Sequence, residues 1–373
     1  MGKNRFVIYF RRGLLALFVV LITAAGYLHQ VGGEKIPSIH ALCPFGGLES
    51  LYSLLTTETF ISKIFSGTMI LFMITMILAI ALRKSFCGLL CPFGAIQEFF
   101  AWMGKKIFHR NFTVPQKLDQ PFRYLKYLVL VVTVGYAWET AGLWMAPYDP
   151  WAAYAHLSEG IPAVWRSSSV GLILLVVTVV GSAIYDRFFC KYLCPMGALN
   201  GIVGKISPFK VVRNEEACIH CDLCSKNCPA NIDVSHEKKV TSAECFNCQA
   251  CVLNCPAMGA LELKMGAKTV NPLLAIILTL ALFFLPIFVT QSLGIYQMTP
   301  EKIRAGQTIG IGEVRGYMTI QAAAKATKMD LNVFYQKFQI PPGVPPETKM
   351  KEIGDKAPGY DYHKVKEEIS RLR

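Results

Sequence analysis

Thirteen cysteines punctuate the chain, and eight of them fall in two runs of one pattern. The first, CIHCDLCSKNCPA, sets Cys218, Cys221, Cys224 and Cys228 ahead of Pro229. The second, CFNCQACVLNCPA, sets Cys245, Cys248, Cys251 and Cys255 ahead of Pro256, each 27 positions after its counterpart. The spacing C-x2-C-x2-C-x3-C-P curls three thiolates around a [4Fe–4S] cube, and the fourth points at the other cube. The expected ligand sets are Cys218, Cys221, Cys224 and Cys255 for one cluster, and Cys245, Cys248, Cys251 and Cys228 for the second. Structural zinc asks for ligands in two pairs, not a doubled run of four with a proline after each. Disulfides suit poorly so many regularly spaced thiols on a reducing side. Neither run contains C-x-x-C-H, so covalent haem is not indicated.

Four further cysteines form a second doubled motif. SFCGLLCPFGAI holds Cys87 and Cys91, and FFCKYLCPMGAL holds Cys190 and Cys194, at a constant offset of 103 residues. Residues four apart share a helix face, so each copy offers two sulfurs to one neighbour. Pro92 and Pro195 push the preceding cysteine out of helical geometry and break the helix there. Two such half-sites facing each other would supply four thiolates. Tetrahedral sulfur selects iron–sulfur or zinc, and thiolates also suit Cu(I). A third iron–sulfur centre is the first expectation. Cysteines also serve as small apolar residues in membrane helices, but the doubling at matched positions argues against that.

The elements that carry these motifs are read from hydropathy. The 373 residues are 53% hydrophobic and only 17% charged, too apolar for a soluble protein of this size. Apolar runs lie at 13–28, 64–82, 127–145, 170–185 and 272–289. Each approaches the roughly 20 residues that cross a bilayer. The first, behind Lys3, Arg5, Arg11 and Arg12, has the shape of a signal peptide and is read as a retained span. The fold expected is a predominantly α-helical integral membrane protein with about five transmembrane helices. A small α+β ferredoxin-like two-cluster insert and a small helical C-terminal module complete it. The boundaries are 1–209 for the first four helices, 210–265 for the insert, 266–293 for the fifth helix and 294–373 for the module.

A formal charge of +13 reads as basic inner loops rather than a nucleic-acid surface. Arg83, Lys84, Lys105, Lys106, Arg110, Lys117, Arg123 and Lys126 crowd the loop between spans two and three, whereas only Arg166 lies between three and four. The positive-inside rule then places the insert in the cytoplasm and the C-terminal module outside, across a cytoplasmic membrane. In that module Thr319 and Asp330 are expected N-caps. GIGEVRG at 310–316 reads as loop, and the prolines of 340–346 as an extended connection.

On the outer side, HALCPFGGLES brings His40, Cys43 and Glu49, and YDPWAAYAHL brings Asp149 and His156. Glu139 lies within the third apolar run, where an ionisable group marks a functional site by default. Quinol oxidation needs groups that titrate near neutrality, so Glu139, His40, Asp149 and His156 form the candidate quinone and proton site. The bland reading is an interfacial polar cluster that anchors loops.

The insert resembles the bacterial two-cluster ferredoxins. With the spans ending in FCGLLCPFG and FCKYLCPMG, residues 35–290 resemble the membrane-bound 4Fe–4S polyferredoxin family, which includes NapH-type subunits, the membrane part of NosR and CcoG-type copper-reducing factors. The resemblance implies electron transfer at the cytoplasmic membrane between the quinone pool or an outer redox partner protein and the ferredoxin head. Two [4Fe–4S] clusters are expected, with a third centre at Cys87, Cys91, Cys190 and Cys194. Expected contacts are lipid, quinone and redox proteins in a complex, with no nucleic acid. A copper-reducing assembly factor for a respiratory enzyme and a redox sensor are the alternatives.

Overall fold

The structure is a computed structural model. It describes residues 2–32, 36–57, 64–109, 112, 114–140, 143–299, 314, 318–350, 353–357 and 359–360. The chain is mostly helical and divides into two units, 1–299 and 300–373. In chain order the first unit contains α1 (Gly2–Gly32), α2 (Phe45–Thr57), α3 (Ser66–Leu82), α4 (Pro92–Phe108), α5 (Gln116–Arg123), α6 (Leu125–Thr140), α7 (Pro150–Ala155) and α8 (Ile161–Ile184). Then come α9 (Phe188–Tyr192), α10 (Pro195–Val203), α11 (Leu223–Lys226), α12 (Ala250–Leu253) and α13 (Pro272–Ser292).

Among the described residues, three helices are long and apolar enough to cross a membrane: α1, α8 and α13. Their outward side chains stay apolar, as with Leu17, Val176, Leu285 and Phe288. The sequence predicts five. The remaining two, α3 with 17 residues and α6 with 16, are shorter. At 1.5 Å per residue they rise about 24–26 Å, against a hydrocarbon core of about 30 Å.

The shortness of α3 has a local cause. Arg83 adopts a left-handed φ of 58° and ends the helix ahead of the cysteine motif. Cys87 then rides on a separate π turn, Phe86–Leu90. Cys91 is extended (φ −65°, ψ 114°), and Pro92 opens α4. The second copy repeats the device: Arg187 has φ 52°, Cys190 sits on α9, Cys194 is extended, and Pro195 opens α10. The prolines break the chain where expected, but an arginine has already separated each motif from its span. Where α4 crosses α8, a Cβ on Gly104 would lie 1.8 Å from the Ala183 carbonyl oxygen, so only glycine permits that approach.

The insert holds a three-stranded antiparallel sheet, β1 (Phe209–Arg213), β2 (Leu261–Met265) and β3 (Lys268–Val270), in that order. Phe209 pairs with Met265 and Val211 with Leu263. Phe209, Val211, Leu261 and Leu263 are buried, so one face of the sheet closes over the cysteine loops. The sheet runs to Val270, past the expected boundary at 265, and Asn271 then caps α13 by accepting from the Leu273 N–H. The insert is no separate bead. Leu78 and Leu82 of α3 and Ile276 of α13 share one core with Phe209, Phe246 and Cys248. After α13, residues 295–298 fold back onto α3, Gly67 donating to the Gln297 carbonyl at 2.8 Å. The first unit therefore ends near Thr299 rather than at 293.

The second unit contains α14 (Ile320–Ala326) and α15 (Leu331–Lys337). Thr319 and Asp330 cap them as expected, accepting from the Ala322 and Asn332 N–H groups. Ile320, Ala323, Phe334, Phe338, Val344 and Met350 form its core. Of the 310–316 loop, only Val314 lies within the described residues.

Candidate metal centres

In each cysteine loop two residues at matching positions take left-handed conformations: His220 and Asp222 in the first, Asn247 and Gln249 in the second. Non-glycine residues enter that region only where surroundings impose it. Here they turn both loops tightly around a hollow. One hollow, partly open, is lined by Cys228, Cys245, Cys248 and Cys251. The other is lined by Cys218, Cys221, Cys224 and Cys255. The fourth cysteine of each run thus crosses to the other loop. Burial pushes the Cys228 thiol up to about 12, with the neighbouring Cys248 adding to the shift. Such a group stays a thiolate at neutral pH only beside strong positive charge, as a metal supplies.

Cys87, Cys91, Cys190 and Cys194 also converge. Cys194 lies within electrostatic reach of the other three, and Cys190 of Cys87. The site abuts the insert. A Cβ on Gly88 would lie 2.3 Å from the Phe246 carbonyl oxygen and 3.1 Å from the Cys248 nitrogen. Among the described residues, no three or more of His, Cys, Asp or Glu are drawn in tightly enough to hold a metal ion.

Around these cysteines lies an excess of buried positive charge. Arg187 and Lys126 are 0% exposed, Lys84 1%, and Arg11, Arg83 and Lys191 are buried too. The acids facing them are fewer. Glu98 pairs with Arg11 at 2.7 Å and Arg187 at 2.9 Å, Glu244 with Lys126, and Asp119 with Arg123. Among the described residues Lys84 Nζ has no hydrogen-bond partner, and it stands 3.9 Å from Glu244. A buried ammonium is expensive unless compensated. Sets of four thiolates around iron–sulfur cubes bring negative charge, so the residues present fit such groups. Three of the charges read as basic loop, Arg83, Lys84 and Lys126, are in fact buried. Arg83 donates to the Val240 and Ser242 carbonyls at 2.7 and 2.6 Å, fastening the insert.

The acidic residues gather near the N-terminal end of α3, and Trp151 of α7 lies 5.6 Å from Phe93, two residues past Cys91. Asp149 caps α7 through the Trp151 N–H at 3.0 Å. Glu49 is 6% exposed, and Asp149 and Cys43 are its electrostatic neighbours. Burial, then the charge of Asp149, pushes the Glu49 carboxyl up to about 8. Burial pushes Asp149 up to about 6. His156 Nδ1 meets Gln30 at 2.8 Å and Glu159 at 3.1 Å. His40 is half-buried next to this end. Glu139 is exposed and makes no hydrogen bond or ion pair among the described residues. The acid that sequence reasoning left out of the proton set is Glu49, and its context in an LCPFGG segment gave no hint of burial beside Asp149.

Comparison with known proteins agrees with this geometry. The domain described as "4Fe-4S binding domain" matches residues 67–111 and 169–214, one match over each C-x3-C-P copy. A "4Fe-4S dicluster domain" matches residues 210–256. The chain therefore carries 4Fe–4S binding domains. It is 32% identical to YccM of Escherichia coli, whose name marks it as a candidate electron transport protein, over 55% of this chain and 58% of that one. The "Regulatory protein NosR" of Pseudomonas aeruginosa is 31% identical over 39% of this chain and 20% of its own. The "Ferredoxin-type protein NapH" of Escherichia coli is 28% identical over 42% of this chain and 51% of its own. The chain thus spans less than two thirds of the length of each of these relatives. No solved structure matches it.

Proposed function

We propose that this chain is a polyferredoxin-type electron-transfer protein of the cytoplasmic membrane, with two [4Fe–4S] clusters in the insert and a third centre at the C-x3-C-P cysteines. Cys218, Cys221, Cys224 and Cys255 hold one cluster, and Cys245, Cys248, Cys251 and Cys228 the next. Cys87, Cys91, Cys190 and Cys194 hold the third. The observation that carries the reading is the gathering of twelve cysteines into three sets beside buried cations that outnumber their acids. Bound clusters supply the one-electron chemistry; the chain supplies ligands, spacing and a low dielectric. The contact of Gly88 with the Cys248 loop brings the third set against the second.

The α3 and α6 helices complete five spans on this reading, with flanking residues making up their length. The insert faces the cytoplasm, and the second unit lies outside. Glu49 and Asp149, with His40 and His156 near them, form the outer acid–base site that exchanges protons with a quinone or meets an outer redox protein. Glu139, exposed to the lipid side, belongs to that site only if a partner covers it.

Iron and acid-labile sulfide per chain, with EPR of the reduced protein, test this. About twelve irons, four for each of three cubes, are expected. Cys87→Ala should remove one set and leave both insert signals. An anaerobic preparation that binds copper at the C-x3-C-P cysteines and holds about eight irons would instead favour a metal-handling factor. A preparation without iron would refute the whole reading.

A further inference from the structure

The offset of 103 residues reaches beyond the cysteines: it also pairs Gln97 with Asn200 and Lys84 with Arg187. Gln97 and Asn200 are each 1% exposed. Gln97 Nε2 donates across to the Cys190 sulfur at 3.1 Å, and Asn200 Nδ2 donates across to the Cys87 sulfur at 3.5 Å. Each half thus hands an amide N–H to the first cysteine of the other half. Gln97 is fixed at its other end, Oε1 accepting from the Phe189 and Cys190 backbone N–H groups at 3.0 and 3.3 Å. Asn200 Oδ1, by contrast, has no hydrogen-bond partner among the described residues. A buried amide left half-satisfied is costly where a leucine would pack freely. Its retained role is the N–H aimed at sulfur.

The second pair acts from the other direction. Lys84 Nζ and the Arg187 guanidinium lie 5.4 and 4.9 Å from the centroid of a single ring, Phe246. Phe246 stands between Cys245 and Cys248 on the insert. Arg187 faces Cys91 and Cys190 on one side and Cys248 on the other. The amides reach only the C-x3-C-P set, whereas the cations stand between two sets.

Hydrogen bonds to sulfur and nearby positive charge both favour the more negative, reduced state of a thiolate-held centre. We propose that Gln97 and Asn200 are crosswise positioning residues that raise the reduction potential of the centre held by Cys87, Cys91, Cys190 and Cys194, and that Lys84 and Arg187 raise it together with that of the adjoining insert cluster. This rests on the reading that those four cysteines hold a redox centre.

The test is a redox titration of the purified full chain, followed by EPR, with iron measured alongside. Gln97→Leu and Asn200→Leu should each lower the midpoint potential of the third signal and leave both insert signals where they are. Arg187→Leu should lower two potentials, and Arg187→Lys should restore them. Gln97→Glu, which keeps the shape and both backbone bonds, should lower the third potential even if Gln97→Leu folds poorly. A third signal at its wild-type potential in Gln97→Glu and Asn200→Leu, with iron retained, overturns the donor role. An unmodified chain without a third signal refutes the centre itself, a failure visible before any variant is made.

Discussion

Gly88→Ala probes the contact through which the first C-x3-C-P turn meets the insert. The added methyl would lie 2.3 Å from the Phe246 carbonyl oxygen, 3.1 Å from the Cys248 nitrogen and 3.2 Å from its Cα. Ordinary contact begins near 3.5 Å, so something must retreat by roughly 1 Å. All three atoms are backbone, and no side chain can swing aside. The loop is also pinned, Asn247 Nδ2 donating to the Leu82 carbonyl at 2.8 Å and the Phe246 ring lying against two buried cations. On the other side, Arg11 donates to the Gly88 carbonyl at 3.2 Å and holds the turn in place. Over-packing a fixed site costs about 1–3 kcal/mol, and here the strain falls on a ligand loop. The expected outcome is loss of the cluster at Cys228, Cys245, Cys248 and Cys251, with the one at Cys218, Cys221, Cys224 and Cys255 retained. Iron and sulfide per chain and the EPR of the reduced protein read this directly. Gly135→Ala, whose added methyl meets nothing within 4 Å among the described residues, is the control. A Gly88→Ala protein with wild-type iron, spectra and thermal unfolding would refute the close-contact argument.

Three further outcomes follow from buried groups. Glu244→Gln strands Lys126 and Lys84, and should cost about 3–5 kcal/mol in thermal unfolding in detergent. Burial opposes the Glu244 charge, but Lys84 and Lys126 outweigh it and hold the carboxyl below its usual range. Its contribution is therefore complete above the unfolded value of about 4.3 and lost as pH falls through the folded one, so the variant's deficit should shrink there. Glu49 has the opposite sign: with its carboxyl raised to about 8, stability is lost as pH rises from about 4.3 toward that value. Glu49→Gln should accordingly gain on the wild type between pH 5 and pH 8 in the same assay, and a pH-independent difference would contradict the burial of that acid. Phe334, 0% exposed and stacked 4.4 Å from Phe338, anchors the second unit. Phe334→Ala should destabilise that unit by about 3–5 kcal/mol in limited proteolysis while iron content stays unchanged.

The legible part of this molecule was whatever is written in spacing. The crossed grouping of eight cysteines, the prolines that break the chain at Cys91 and Cys194, and the caps at Thr319 and Asp330 all depend on a few neighbouring residues. What hydropathy could not show was where a helix stops for a reason outside itself. Arg83 turns left-handed because it reaches into the insert for the Val240 and Ser242 carbonyls, a partner more than 150 positions away. Gln97, Asn200, Lys84 and Arg187 were open to discovery, since they obey the same offset as the cysteines. A search for metal ligands alone passes over them, because amides and cations act on sulfur without binding metal. Glu49 carried no such signal: its burial depends on how α2 packs on α3 and α6, which no periodicity encodes.

The buried cations tie cluster loading to assembly. Lys84, Lys126, Arg83 and Arg187 fasten the insert to the helices, and Lys84 and Arg187 also stand beside Cys190. A cation held in a dry interface destabilises it unless an anion shares the site. Glu98 and Glu244 answer part of that charge, and thiolates bound to iron answer more. Metal binding in such a place is also folding free energy, since the ligands of one set come from segments up to 107 residues apart. Docking of the insert and filling of its sites should therefore proceed as one cooperative event. The +13 charge, which looks like a topogenic signal when read along the chain, serves in part as the counter-charge of the centres it surrounds.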